Sequence, residues 1–213
     1  MKYPKILRLI ISASICITAS VTAFSSTSSS VNLGTLSYWE SDSSSIGRWS
    51  STPKVYRFPL NSSFSSTFIS CVSAAKTQWN TNAGIGLTIT DSSSQANIHC
   101  YGGTAEEIAE QTGKTAASLS GHSGMTYYNS KTLEGTYTYG SSTKKGYIFS
   151  DVLVVVLDLD RDAAYTKKTT IHEIGHALGW MGHSSNSSNV MYQGSTTETT
   201  LTTADKRHLQ QVY

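Results

Sequence analysis

Apolar positions along the chain fall into three patterns. Between Phe64 and Asn80, Phe68, Ile69, Val72, Ala75 and Trp79 recur at three- and four-residue spacing. That period predicts an amphipathic helix, which Asn82-Ala83-Gly84 ends. Val55-Tyr56-Arg57-Phe58 alternates between Pro53 and Pro59 and predicts a short strand. Leu87 to Thr90 and Ala96 to Tyr101 predict two more, separated by a Ser-rich turn. Val152 to Leu157 is continuously apolar and too short for a long helix, so it predicts a central strand covered on both faces. Weaker patterns predict a short helix over Ala105 to Gln111 and a strand over Met125 to Tyr128. Tyr137 to Lys145, rich in Gly, Ser, Thr and Lys, reads as an exposed loop. Helices over about Thr166 to Gly179 and Thr203 to Gln211 close the chain. Helices interleaved with strands predict an α+β or α/β layer fold, with no internal repeat and no second domain.

The amino terminus follows a different logic. Lys2, Lys5 and Arg8 precede an apolar run from Leu9 to about Ala23, and Val21-Thr22-Ala23 ends it in small residues. This is the layout of a secretory signal peptide over residues 1–23. The run is about 15 residues where a membrane span needs roughly 20. Residues 24–48 form a Ser-rich arm before the domain at 49–213, and Trp39, together with Trp49 just beyond the arm, indicates that it docks somewhere. Lys2, Lys5 and Arg8 also account for the formal charge of +2, and without them the chain carries −1. Neither nucleic acid nor an anionic membrane has anything to be attracted to.

Without the leader two cysteines remain, Cys71 and Cys100. In an oxidising compartment such a pair is expected to form a disulfide; the alternatives are two buried free thiols or a metal pair, which would show close C-x-x-C spacing. Asp158, Asp160 and Asp162 resemble half a calcium loop, but Ala163 stands where the glycine belongs. Calcium is therefore possible but unsupported, and Asp162 reads as a helix-terminal residue.

The chemistry is concentrated in His172-Glu173-Ile174-Gly175-His176-Ala177-Leu178-Gly179-Trp180-Met181-Gly182-His183. On a helix, His172 and His176 project from one face and can share one zinc ion. Glu173 stands beside the first ligand, placed to take a proton from water. A continuing helix would carry His183 too far along its axis, about 16 Å from His172. Gly179 lets the chain leave through a left-handed conformation and bring His183 back. Three histidines and a water make an open, catalytic zinc site.

With Val190-Met191-Tyr192 downstream and the apolar strand before it, this segment resembles the metzincin zinc endopeptidases, closest to the matrixin branch. The resemblance implies an α+β domain with a twisted, mostly parallel sheet of about five strands and three helices. It also implies a Met-turn at Met191 beneath the metal and an edge strand that holds an extended peptide. The third histidine comes one place later than in the family, where Gly182 takes its position, and Tyr192 competes as a ligand. Tyr192 to about Thr200 would wall the pocket for the side chain after the scissile bond, with apolar preference a family-level expectation. A second, structural zinc is not predicted.

Together these features predict a secreted, monomeric, single-domain zinc endopeptidase acting on an extracellular polypeptide, without stable membrane association. Rivals are a zinc-binding but inactive interaction module, against which Glu173 argues, and a narrow aminopeptidase or amidase. His99 reads as structural and His208 as solvated, while His122 could line the cleft or bind a second ion.

Overall fold

The computed structural model describes residues 30–213, so the leader at 1–23 and the polar stretch at 24–29 lie outside the described residues. Seven strands and five helices follow in the order β1 (Asn32–Thr35), β2 (Ser45–Arg48), β3 (Lys54–Pro59), α1 (Ser62–Thr77), β4 (Thr88–Thr90), β5 (Ile98–Gly103), α2 (Ala105–Thr112), α3 (Ala116–Leu119), β6 (Gly124–Tyr139), β7 (Ser142–Leu157), α4 (Ala163–Leu178) and α5 (Thr203–Gln210). They build one mixed sheet in the order β1-β6-β7-β5-β3-β4, with β2 joining β7 beyond the end of β5. All pairings are parallel except that of β6 with β7.

Period two and burial on both faces explain β7. Val152, Val154 and Val156 pack toward α1 and α4, whereas Leu153, Val155 and Leu157 pack toward Ile108 of α2 and Leu119 of α3. Each helix on the sheet begins with a side chain that satisfies otherwise orphaned amides. Asn61 caps α1 and Asp162 caps α4 through Tyr165 N at 2.7 Å, so the half-calcium pattern resolves as a helix cap at its last aspartate. The helix predicted from Phe64 to Asn80 ends in a π turn over Gln78–Asn82, which seats Trp79 in the core.

Four expectations change. Tyr137 to Lys145 is not a loop: it is the tip of a long β6–β7 hairpin that turns at Gly140-Ser141. The sheet has seven strands rather than five, because residues 32–48 contribute β1 and β2, with Ile46 buried against the core. Cys71 and Cys100 are separate buried thiols, not a disulfide. Cys71 sits on α1 near Thr170, and Cys100 is enclosed in the middle of β5. Burial raises the pKa of both, keeping them protonated and inert. His208 is not solvated but fully buried, with its ring 4.1 Å from that of Trp180.

Candidate active site

Helix α4 carries the two histidines because its inward stripe continues through the motif: every residue from Thr169 to Leu178 is buried. His172 Nδ1 lies 2.8 Å from the carbonyl of Val190, and His176 Nδ1 lies 2.6 Å from that of Trp180. A carbonyl oxygen only accepts, so each ring proton resides on Nδ1 and each Nε2 presents a lone pair. Those Nε2 atoms face each other at 3.0 Å.

His183 completes the cluster. Ligand atoms of His172, His176 and His183 all lie within 4.8 Å of one another, and the His183 ring centroid is 5.3 Å and 4.9 Å from the other two. The chain reaches this position through two left-handed glycines, Gly179 at φ 126° and Gly182 at φ 82°. A side chain at Gly179 would collide with the Gly47 carbonyl of β2, whose amide in turn donates to Gly179 O at 2.8 Å. A side chain at Gly182 would collide with Asp42 and Ser41. The position where the family places its third ligand thus has no room for an imidazole, and the histidine follows one residue later. Asp42 holds the result, accepting from His183 N at 2.7 Å.

Three neutral imidazoles whose lone pairs converge fit a zinc ion. Ligands at roughly 2.1 Å from a tetrahedral centre lie about 3.4 Å apart, within the spread seen. Burial lowers the pKa of all three, most strongly those of the two helix residues, with His176 at about 4. Neutral rings are what metal ligation requires. The Tyr192 ring packs over Gly194, and the residue borders a neighbouring hollow with His183 and Asp42.

Glu173 is buried, and that burial raises its pKa to about 7. The Thr126 hydroxyl on β6 lies 2.8 Å from Glu173 Oε2 and 2.9 Å from the Glu173 carbonyl, and it opposes the shift. Oε1 has no hydrogen-bond partner among the described residues. Both groups open into a cleft of about 530 Å³ lined by the three histidines and by Gly124, Thr126, Tyr165 and Lys168, among others. His122 does line this cleft.

Met191 lies beneath α4 and is fully buried. The turn is held by Asp205 of α5, itself fully buried, which accepts from the amides of Val190, Met191 and Thr202 at 2.9–3.2 Å. Sequence reasoning missed Asp205, although Thr202 and Asp205 are spaced as a capping box, and the structure shows one. It also missed Lys168, which the helical period places one turn before His172, and Thr126, for which the local sequence carries no signal.

A mixed sheet whose buried strand leads into a helix bearing two of three convergent imidazoles, with a carboxylate between them, is the framework of a zinc metallopeptidase. The chain belongs to the matrixin family, whose sequence profile matches residues 48–213. No curated protein matches the sequence. Among solved structures, one described as the structure of myroilysin resembles it with 14% identity and a TM-score of 0.41, over 78% of this chain and 95% of that one.

Proposed function

We propose that this matrixin is a secreted endopeptidase that cuts internal bonds of extracellular polypeptides, acting as a monomer. The observation that carries the reading is the pairing of an open three-histidine set with Glu173, whose Oε1 is left unclaimed beside it. When bound, zinc supplies Lewis-acid polarisation of the scissile carbonyl and makes water at the site more acidic. His172, His176 and His183 would hold it, the first two fixed in rotation by their Nδ1 bonds to backbone carbonyls. Glu173 takes the proton of the attacking water on its carboxylate and delivers it to the departing amine nitrogen as the C–N bond breaks. Burial favours the protonated form, which helps the carboxyl hold the proton until the amine leaves. Thr126 keeps Oε2 occupied, so that the proton is handled at Oε1.

An extended substrate has a place to lie. Strand β6 pairs with β1 only at residues 136–138, so its opposite end, Gly124 to Tyr128, borders the cleft as a free sheet edge among the described residues. Backbone pairing along such an edge suits internal segments of a polypeptide. Export rests on the leader sequence, and among the described residues no helix is long and apolar enough to cross a membrane.

The test uses mature protein and a Glu173→Ala variant on denatured casein, with cleavage sites mapped by mass spectrometry. Internal cuts are expected from the wild type alone, lost with chelator and restored by zinc. A zinc-loaded wild type that cuts nothing, or trims only chain ends, refutes the reading.

A further inference from the structure

The same cleft contains a cation that the hydrolytic chemistry does not use. Lys168 lies one turn before His172 on the same face of α4, is only 6% exposed, and lines the cleft beside Glu173. Its Nζ donates to the carbonyls of Tyr192 at 2.9 Å and Gly194 at 3.4 Å, in the chain just after Met191. Those contacts occupy two of the three ammonium N–H groups. They also anchor the head group, which cannot swing out to bulk water as surface lysines do.

Glu173 and Asp205 act on its charge from a distance, but neither forms an ion pair with it. Among the described residues no carboxylate lies within 4 Å of Lys168 Nζ. Glu173 has Oε2 committed to Thr126, and Asp205 is committed to three backbone amides. A buried cation without a directly paired anion is costly, and carbonyl dipoles with carboxylates at longer range offset only part of that cost. The surroundings are equally unsuited to an apolar guest. Tyr165, Thr169, Gln193 and Ser195 line the same cleft, and Met125 is the one aliphatic side chain among the described lining residues.

We propose that Lys168 is a specificity-determining residue: at the wall after Met191, which the family resemblance assigns to the side chain following the scissile bond, it selects peptides carrying Asp or Glu. This rests on the endopeptidase reading above and departs from the apolar preference expected of the family. A carboxylate entering between Tyr165, Lys168, Gln193 and Ser195 takes the third N–H in a charge-assisted bond and supplies a directly paired anion. An aliphatic side chain in the same place strips the ammonium of its remaining water and returns nothing.

Binding and cleavage are measured separately. The zinc-loaded mature chain carrying Glu173→Gln is titrated calorimetrically with peptides that differ only at the position after the intended scissile bond, as Asp, Glu, Asn, Leu or Lys. Asp or Glu should bind roughly 10- to 100-fold more tightly than Leu, as for a hydrogen bond to a charged group, with Asn close to Leu. Adding Lys168→Met should erase the difference, and Lys168→Glu should turn it in favour of Lys. Lys168→Arg, which keeps the charge and the carbonyl contacts, should retain it and shows that loss in the Met variant is not misfolding. Equal affinity for Asp and Leu, a carboxylate preference that survives Lys168→Met, or no binding by any peptide overturns the proposal. Cleavage profiling of the wild type runs in parallel. A wild type that cuts nothing counts against the endopeptidase reading, while the binding series still decides the role of Lys168.

Discussion

The Nε2 atoms of His172 and His176 face each other at 3.0 Å while both Nδ1 atoms are bound to backbone carbonyls. Neither facing atom has a proton to share, so two lone pairs oppose each other in a buried site. Only a cation between them turns that repulsion into attraction. The metal is therefore expected to stabilise the fold as well as the chemistry. Zinc at about 100 times its dissociation constant adds roughly 2.7 kcal/mol. For a domain of this size that is a rise in melting temperature of about 5–10 °C. Scanning fluorimetry with chelator and with zinc measures it, and His172→Ala should remove the zinc-dependent part. A melting temperature indifferent to chelator would contradict this account.

Gly175 gives a second prediction. A methyl group there would sit 2.5 Å from Met191 Sδ and 2.6 Å from Trp79, and α4 cannot shift away because His172 and His176 flank the position. Gly175→Ala should therefore destabilise by about 1–3 kcal/mol through overpacking, despite alanine's better helix propensity. Met191→Ala opens a cavity and costs about 2–5 kcal/mol by itself. The double variant should lose less than the sum, by about 0.5–3 kcal/mol, because one change makes room for the other. Urea titrations of all four proteins close the cycle, and strict additivity would mean that the two residues do not meet.

The catalytic helix was legible in the sequence because its chemistry is local. The i, i+4 spacing of His172 and His176, the adjacent Glu173 and the glycine exit at Gly179 are all contained in a dozen residues. Val152 to Leu157 was legible for a similar reason: a strand covered on both faces leaves a continuous apolar run. What stayed hidden depends on partners distant in sequence. Residues 32–35 and 45–48 are strands because β6 and β7 offer them edges, and Ser-rich composition carries no trace of that. The hairpin tip read as loop because it is rich in Gly, Ser, Thr and Lys, although Tyr137 is buried in the core and Tyr139 packs against it. Yet Thr136-Tyr137-Thr138-Tyr139 alternates, and both residue types favour strands. The role of Thr126 beside Glu173 exists only once β6 is laid against α4.

The cysteines show how a counting argument fails. Two cysteines in an exported chain suggest a bridge, but Cys71 and Cys100 are each buried as free thiols, Cys100 within the hydrophobic core and Cys71 beside Thr170. Alkylation of the native protein without reductant should label neither, because both are buried and protonated. After denaturation in guanidinium, still without reductant, both should be labelled, and intact mass should rise by two adducts. A bridge would leave the denatured mass unchanged until reductant is added. Cys71→Ala with Cys100→Ala should then fold without the loss expected from removing a cross-link.

His208 makes stability depend on pH. Its ring lies between Trp39, at a centroid distance of 4.8 Å, and Trp180, and Nδ1 accepts from Glu40 N at 3.3 Å. The proton is therefore on Nε2, which has no partner among the described residues. Burial, reinforced by the charge of Lys144, holds the pKa near 3, whereas the unfolded chain titrates near 6.5. Folding thus favours the neutral ring. The stability this contributes is complete above about pH 6.5 and is lost as pH falls toward 3, because the unfolded state takes up the proton first. Between pH 7 and pH 4.5 the loss from this group is on the order of 2–3 kcal/mol. His208→Gln, which keeps an acceptor for Glu40 N, should be less stable at pH 7 but have a flatter acid limb. Urea midpoints for both proteins at the two pH values, saturated with zinc so that the ligand histidines do not titrate, isolate the effect. If wild type and variant lose the same stability on acidification, His208 is not its source.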